Sequence, residues 1–498
     1  MKKKRILPKR SYRVVAITGC LMMAAGVIMA AYGNYPAVTG YIDSISEKSG
    51  VFPTVSTSAV QKLDTGLPDD GPVDCIIMFT AKTGVSALDQ QGTMKSMISS
   101  LGGDIRDQYF WSVNAMNVIV DAENLSRIAG NSQVSYIYPN EPIVRLLDTG
   151  LEWDDYVHFM GNNGDLLQAN YLHDEGITGE GLTVFVIDSG INPGHPDLQR
   201  NGKSVVIGSY NPAGVEVSLG HGTAVAGCIA SQNPGYPGIA PGCDIISINV
   251  FDTDGSGYPS WILDGVDYIA EYARNHDGCF VSSNSWGISH TISTQQSCQP
   301  SPFHSAFNTL ATRMGIPVVF AAGNDGAIDE SQLIGSQIND PADADNVIAV
   351  GSVNDALYIS SFSSRGPSCS HGKKPDLVAP GSSVHTLNVS NGDCFVTGTS
   401  FAAPQVSACL GLIYSQFGDR YSVSQYYDAL REGTRDLGPP GYDYDYGYGL
   451  VQAYDSYLII QGEIPLSTYS DYGTYVIIIG LVMVCIPFIA SYALKPRK

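Results

Sequence analysis

Three side chains, far apart in the chain, have the types that nucleophilic catalysis needs. Ser400 offers a hydroxyl, His221 an imidazole and Asp188 a carboxylate. A hydroxyl attacks a carbonyl efficiently only when an imidazole takes its proton. The imidazole in turn needs a carboxylate to fix its tautomer. Each residue alone has a more ordinary reading. Asp188 closes the apolar run VFVID and would serve as a turn former or helix cap. His221 opens GHGTAVAGCIA and would be structural. Ser400 starts a helix in VTGTSFAAPQV, with Pro404 expected in the first turn, and would be an N-cap. Together, in the order Asp, His, Ser, they form one of the few known solutions to the chemical requirement. Asn324 follows another buried run, VVFAAG, and its amide can donate to a developing oxyanion.

Something must bring these groups together. Between residues 160 and 458, short apolar runs alternate with helical stretches. The runs are Leu182–Ile187, Ile245–Val250, Phe280–Ser283, Pro317–Ala322 and Val347–Val350. Continuous apolar strands separated by helices predict an α/β domain with a mainly parallel central sheet covered on both faces. Such sheets place chemistry outside the carboxyl ends of their strands. Residues 72–146 read as a smaller α+β domain. Its strands are expected at Val73–Phe79, Ala115–Val120 and Val134–Tyr138, and its helices at Gly92–Leu101 and Ala122–Ala129.

The stretches VFVIDSGINPGHPDL, GHGTAVAG, SSNSWG, VVFAAGNDG, NVIAVGSVN, SFSSRGP, KPDLVAPG and GTSFAAP, in this order, resemble the serial signature of the subtilisin-like serine proteases. That resemblance implies a three-layer subtilisin-like fold and a serine endopeptidase acting on polypeptides. It implies Asp188, His221 and Ser400 as the triad and Asn324 as an oxyanion donor. It also implies a cleft in which peptide lies as an added strand, between Ser256, Gly257 and Tyr258 on one side and Ser285, Trp286 and Gly287 on the other. Ala321, Ala322 and Gly323 would form a wall of the pocket for the residue before the scissile bond. Asp325 is then expected at the rim of that pocket, either selecting Lys or Arg or simply solvated. The 72–146 domain is similar to a subtilisin propeptide, which implies an intramolecular inhibitor with its tail in the cleft and a cut within 145–160. No cofactor is implied for the chemistry, and metal ligands stay unassigned. In several family members the loop matching Ser231–Pro237 holds structural calcium with an acid placed like Asp197. Here that loop is short, which puts such a site in doubt. Asp252-Thr-Asp-Gly lacks the further ligands of a calcium loop and reads as a turn.

The chain has 498 residues, with 27 bases against 48 acids for a net charge of −21. An apolar fraction of 44% excludes a mainly disordered chain. Seven bases lie in residues 1–13 and three in 495–498, so the stretch between is strongly acidic and disfavours nucleic acid as a partner. Two segments without charge, 14–32 and 475–494, are long enough to span a membrane. Their outer flanks are basic, which predicts both termini inside and the middle on the extracytoplasmic side of the cell membrane. A cleaved signal peptide is the other reading of the first segment. The expected layout is thus a basic tail (1–13), a span (14–32), a linker (33–71), the propeptide-like domain (72–146), a processing linker (147–159), the catalytic domain (160–458), a linker (459–474), a span (475–494) and a basic tail (495–498). Cys228 and Cys409 fall in apolar helical patterns and read as buried thiols. A catalytically silent binding or adhesion protein of the same fold is the competing functional class.

Overall fold

The computed structural model describes residues 62–64, 66–80, 83–146, 163–215, 219–289, 301–328 and 336–463. All lie within one unit, Gln61–Lys498. Among them no helix is long and apolar enough to cross a membrane. Both expected spans, both basic tails and the processing linker 147–159 lie outside the described residues.

Seven strands form the central sheet, in the spatial order Leu377–Pro380, Ile348–Val353, Val318–Ala321, Cys279–Asn284, Leu182–Asp188, Asp244–Asn249 and Val206–Tyr210. Every neighbouring pair is parallel. The five strands expected from apolar runs are all present, and two more complete the sheet at its edges. Val206–Tyr210 was missed because an edge strand alternates exposed and half-buried residues instead of forming an apolar run. Successive side chains of a strand face opposite ways, and this strand pattern assigns the helices to two layers. Leu182 packs on Gly411 of the Thr399–Phe417 helix, where a Cβ would come within 2.4 Å of the leucine. Phe185, three positions on and so on the other face, meets Tyr272 of the Pro259–Asn275 helix with ring centroids 5.4 Å apart. The His221–Ala230 helix shares the first layer, packed on Thr399–Phe417, and Pro302–Arg313 shares the second.

The small N-terminal domain is a four-stranded antiparallel sheet, ordered Asp104–Tyr109, Ala115–Asp121, Pro72–Phe79, Val134–Pro139. A helix, Val85–Ser100, crosses it, beginning earlier than the expected Gly92. The Asp104–Tyr109 strand was not expected, since DIRDQY carries three charges and no apolar run. Two boundaries also shift. Leu63, placed in a linker, bridges to Ile137, and Tyr136 donates its hydroxyl to Asp64 at 2.7 Å, so the domain begins earlier. The last catalytic helix runs Ala453–Gln461, past the expected end at 458.

The small domain docks on the Pro259–Asn275 helix. Asp267 accepts hydrogen bonds from the backbone N–H groups of Phe110, Trp111 and Ser112 at 3.3, 2.8 and 2.7 Å. Trp111 lies under the Arg274 guanidinium, 3.8 Å from the ring centroid. Ser260 receives the Tyr109 hydroxyl on its carbonyl and donates its N–H to Asn140.

Candidate active site

Asp188 is the last residue of its strand and fully buried. Its neighbours across the sheet place it at the carboxyl edge, opposite Asn249. There Oδ1 accepts the Ser189 N–H at 2.7 Å. His221 begins the next helix, entered through Gly220 at φ 78°, a left-handed conformation that favours glycine. Its Nδ1 lies 2.9 and 3.0 Å from the two carboxylate oxygens of Asp188. That contact requires Gly222, whose added Cβ would sit 2.3 Å from the Gly190 carbonyl. A carboxylate at Nδ1 holds the proton there and leaves Nε2 as the basic nitrogen.

Ser400 is the second residue of the Thr399–Phe417 helix, and Gly398 is the N-cap. The N-cap reading of Ser400 is therefore overturned, and its N–H is among those a helix start leaves without an intrahelical acceptor. Pro404 lies beyond the first turn, contrary to expectation. A proline there cannot donate to the carbonyl four residues back. That carbonyl is Ser400's, and the Ser285 hydroxyl takes the place of the missing donor at 2.7 Å. Ser400 Oγ in turn lies 3.2 Å from the Ser285 carbonyl. Phe401, beside Ser400, packs on the His221 ring with centroids 5.3 Å apart. The hydroxyl, the imidazole and the carboxylate, spread over more than two hundred positions of sequence, thus belong to one locality.

Asn324 follows the Val318–Ala321 strand. Its Oδ1 accepts both the Thr399 N–H (3.0 Å) and the Thr399 hydroxyl (2.9 Å), which commits the Nδ2 end of the amide to donation. Thr399 was not singled out from the sequence. Its position one residue before Ser400 is the signal that would have found it.

The expected cleft strands are Ser256–Gly257 and Trp286–Gly287, and a strand already lies between them. Val144–Leu146, the tail of the small domain, pairs antiparallel with both: Arg145 faces Ser256 and Gly287, Val144 faces Gly257, and Leu146 faces Trp286. Gly257 accommodates this by close packing on Phe251 and the Val250 carbonyl. Tyr258 stands outside the three-stranded pairing. It is the N-cap of the following helix and packs on Trp261 at 4.6 Å between centroids. Ser285 lies between strands and donates to the Ser400 carbonyl as described.

Ala321, Ala322 and Gly323 are followed by a floor that the sequence reading missed. Asn339 donates its N–H to the Ala322 carbonyl. A Cβ on Gly323 would meet the Asn339 amide at 2.7 Å, and one on Gly287 would meet Asn339 Cβ at 2.8 Å. Glycine at these positions is demanded by Asn339 beneath them. Asp325 is only 9% exposed and accepts from Asn339 Nδ2 and Ser289 Oγ. It is not the solvated acid expected at a rim.

His195 is structural: Nδ1 accepts the Asp197 N–H and Nε2 bonds the Gly392 carbonyl. Asp252 closes a turn by accepting the Ser256 N–H. Calcium does not fit the carboxylate of Asp197 as placed. Its Oδ2 accepts from Tyr236 OH at 2.8 Å and Asn233 Nδ2 at 3.2 Å, so donors stand where a cation would need further oxygens. Cys228 and Cys409 are buried thiols, and burial pushes both up to about 12.

The subtilase family profile matches residues 179–449. Subtilisin E of Bacillus subtilis (strain 168) is 31% identical over 364 residues, covering 72% of this chain and 84% of its own. A subtilisin of Bacillus pumilus is 34% identical over 292 residues, 57% of this chain and 94% of its own. The minor extracellular protease Epr of Bacillus subtilis is 28% identical over 371 residues, 72% of this chain and 52% of its own.

Proposed function

The chain belongs to the subtilase family and is a serine endopeptidase, and from that premise we propose that it is made as a self-inhibited, self-processed zymogen anchored in a membrane. The observation that carries the zymogen reading is the Val144–Leu146 strand, paired on both edges within the cleft. A match covering 72% of this chain is also longer than the catalytic domain alone can supply. Substrate enters by the same backbone pairing once the tail has left.

Ser400 Oγ attacks the peptide carbonyl while His221 Nε2 takes its proton. The C–N bond breaks as His221 returns the proton to the leaving amine, and water then cleaves the acyl-enzyme by the same steps in reverse roles. Asp188 holds Nδ1–H and stabilises the imidazolium. The negative charge on the former carbonyl oxygen falls between Asn324 Nδ2 and the Ser400 N–H, donors fixed before the charge develops. The placement of Asp188 against His221 gives the silent-adhesin alternative no support.

A fluorophosphonate probe tests the triad. It should label the wild type and leave Ser400→Ala unlabelled, and Ser400→Ala should accumulate as an uncut chain. Normal processing of purified Ser400→Ala would rule out self-cleavage. Asn324→Ala should still be labelled to completion, though more slowly, and should lose kcat by about 10²–10³-fold with KM little changed. Normal kcat per labelled site would remove Asn324 from the mechanism.

The membrane reading rests on the two uncharged segments, 14–32 and 475–494, and their basic outer flanks. Protease added outside intact cells should reach the middle of the chain and spare tags at both termini. A C-terminal tag open to the outside would overturn this topology.

A further inference from the structure

His304, Asp340 and Asp343 lie apart from the catalytic groups and take no part in the chemistry above. His304 is the third residue of the Pro302–Arg313 helix. The two acids flank Pro341-Ala342 in the segment that runs from Asn339 to the Ile348–Val353 strand. Each residue offers one ligand atom, and these atoms all lie within 4.8 Å of one another. His304 Nε2 is 2.9 Å from Asp343 Oδ1 and 3.5 Å from Asp340 Oδ1. Ligand atoms about 2.1 Å from a tetrahedral cation stand about 3.4 Å apart, so the group needs only modest closure.

A second observation points to a missing partner at one oxygen of this cluster. Asp340 is 1% exposed. Its Oδ1 accepts the Ser301 hydroxyl at 2.7 Å, but its buried Oδ2 has no hydrogen-bond donor among the described residues. A buried carboxylate oxygen left without a donor is costly, and native structures seldom retain one without a ligand, ion or water. The His304 side chain is 22% exposed, which gives an ion a way in.

We propose that His304, Asp340 and Asp343 form a binding site for a divalent transition-metal cation of the zinc class. One imidazole nitrogen with two carboxylate oxygens suits zinc, cobalt or nickel. Calcium and magnesium favour sites made of oxygen alone. Three protein ligands leave a fourth position for water. The site's location gives it a consequence. Asp340 exchanges both backbone hydrogen bonds with Ile288, one residue past the Trp286–Gly287 cleft strand. Asn339 lies beneath Gly287 and Gly323. A bound cation pins this segment to the Pro302–Arg313 helix and so steadies the cleft floor without touching substrate.

The test uses the full chain carrying Ser400→Ala, so that it stays intact, stripped of metal and titrated with Zn²⁺ and Co²⁺. One equivalent should bind, the Co²⁺ form should show the intense visible absorption of a low-coordinate site, and the melting temperature should rise. His304→Gln and Asp343→Asn should each weaken binding at least tenfold and abolish that absorption. Unchanged stoichiometry and affinity in both variants would overturn the site. Should neither variant fold, the parent chain decides alone. Failure to retain one equivalent, or displacement of Co²⁺ by an equal concentration of Ca²⁺, overturns the proposal.

Discussion

Two carboxylates of the catalytic domain, Asp376 and Asp264, are withdrawn from water in opposite ways. Within the catalytic domain, Asp376 is 2% exposed and is met by the Lys374 ammonium at 2.8 Å, the Arg431 guanidinium at 2.7 and 3.0 Å, and the Ala349 N–H at 2.7 Å. Burial acts to raise its pKa, but Lys374 and Arg431 outweigh burial and hold the carboxyl below its ordinary range. Where the small domain docks, Asp264 has no such partners among the described residues. Burial, then Asp107 of the small domain, then Asp267 push it up to about 8. Asp107 itself is raised by burial first and then by Asp74. The Asp376 charge is thus compensated by cations of its own domain. Asp264, which also belongs to the catalytic domain, instead faces Asp107 across the docking contact, so the docked pair carries a like-charge repulsion.

The largest effect should come from breaking the compensated site. Asp376→Asn leaves two cations buried without their counter-charge and should destabilise the chain by about 3–5 kcal/mol. A urea midpoint shared with the parent would show that the network contributes little. Next is the docking contact that is fully satisfied. Asp267→Ala removes the acceptor for three backbone N–H groups and should weaken the small domain's hold on the catalytic domain by about 10–100-fold. An unchanged dissociation constant would mean that Trp111 and the inserted tail carry the docking.

The smallest effect is the pH dependence of that same hold. An acid with a raised pKa in the docked state binds a proton on docking. Between its value in the separated catalytic domain, where Asp267 still raises it, and about 8, the docked state therefore holds more protons than the separated one. Docking should weaken steadily as pH rises through that window and level off above it. Asp264→Asn mimics the protonated acid and should hold tightly with a flatter profile from pH 4 to 8. A profile as steep as the parent's would assign the titration elsewhere, with Asp107 and Asp267 as the neighbouring groups to examine.

Much of the fold was legible because it rests on local pattern. Buried parallel strands must be apolar on both faces, so five of the seven announced themselves as runs. Asp188 and Asn324 were found because each follows such a run directly. The Asp104–Tyr109 strand was hidden because it earns its place by pairing with Ala115–Asp121, and its own side chains are half exposed. Asn339 was hidden for another reason: its partners Gly287 and Gly323 lie far from it in sequence.

The sequence by itself determined which side chains have the chemistry and which strands and helices carry them, because residue type and hydrophobic period are local properties. It also located two uncharged segments long enough to span a membrane. Tertiary structure alone decided the rest. It turned Ser400 from a cap into a helix residue, with Gly398 as the N-cap and Ser285 replacing the donor that Pro404 lacks. It drew Asp325 inside onto Asn339 and Ser289. It set Arg145 between Ser256 and Gly287, and it gathered His304 with Asp340 and Asp343. Each of these contacts depends on orientation and on distances of a few ångströms between residues remote in the chain. Those are fixed only when the sheet and its two helical layers have packed.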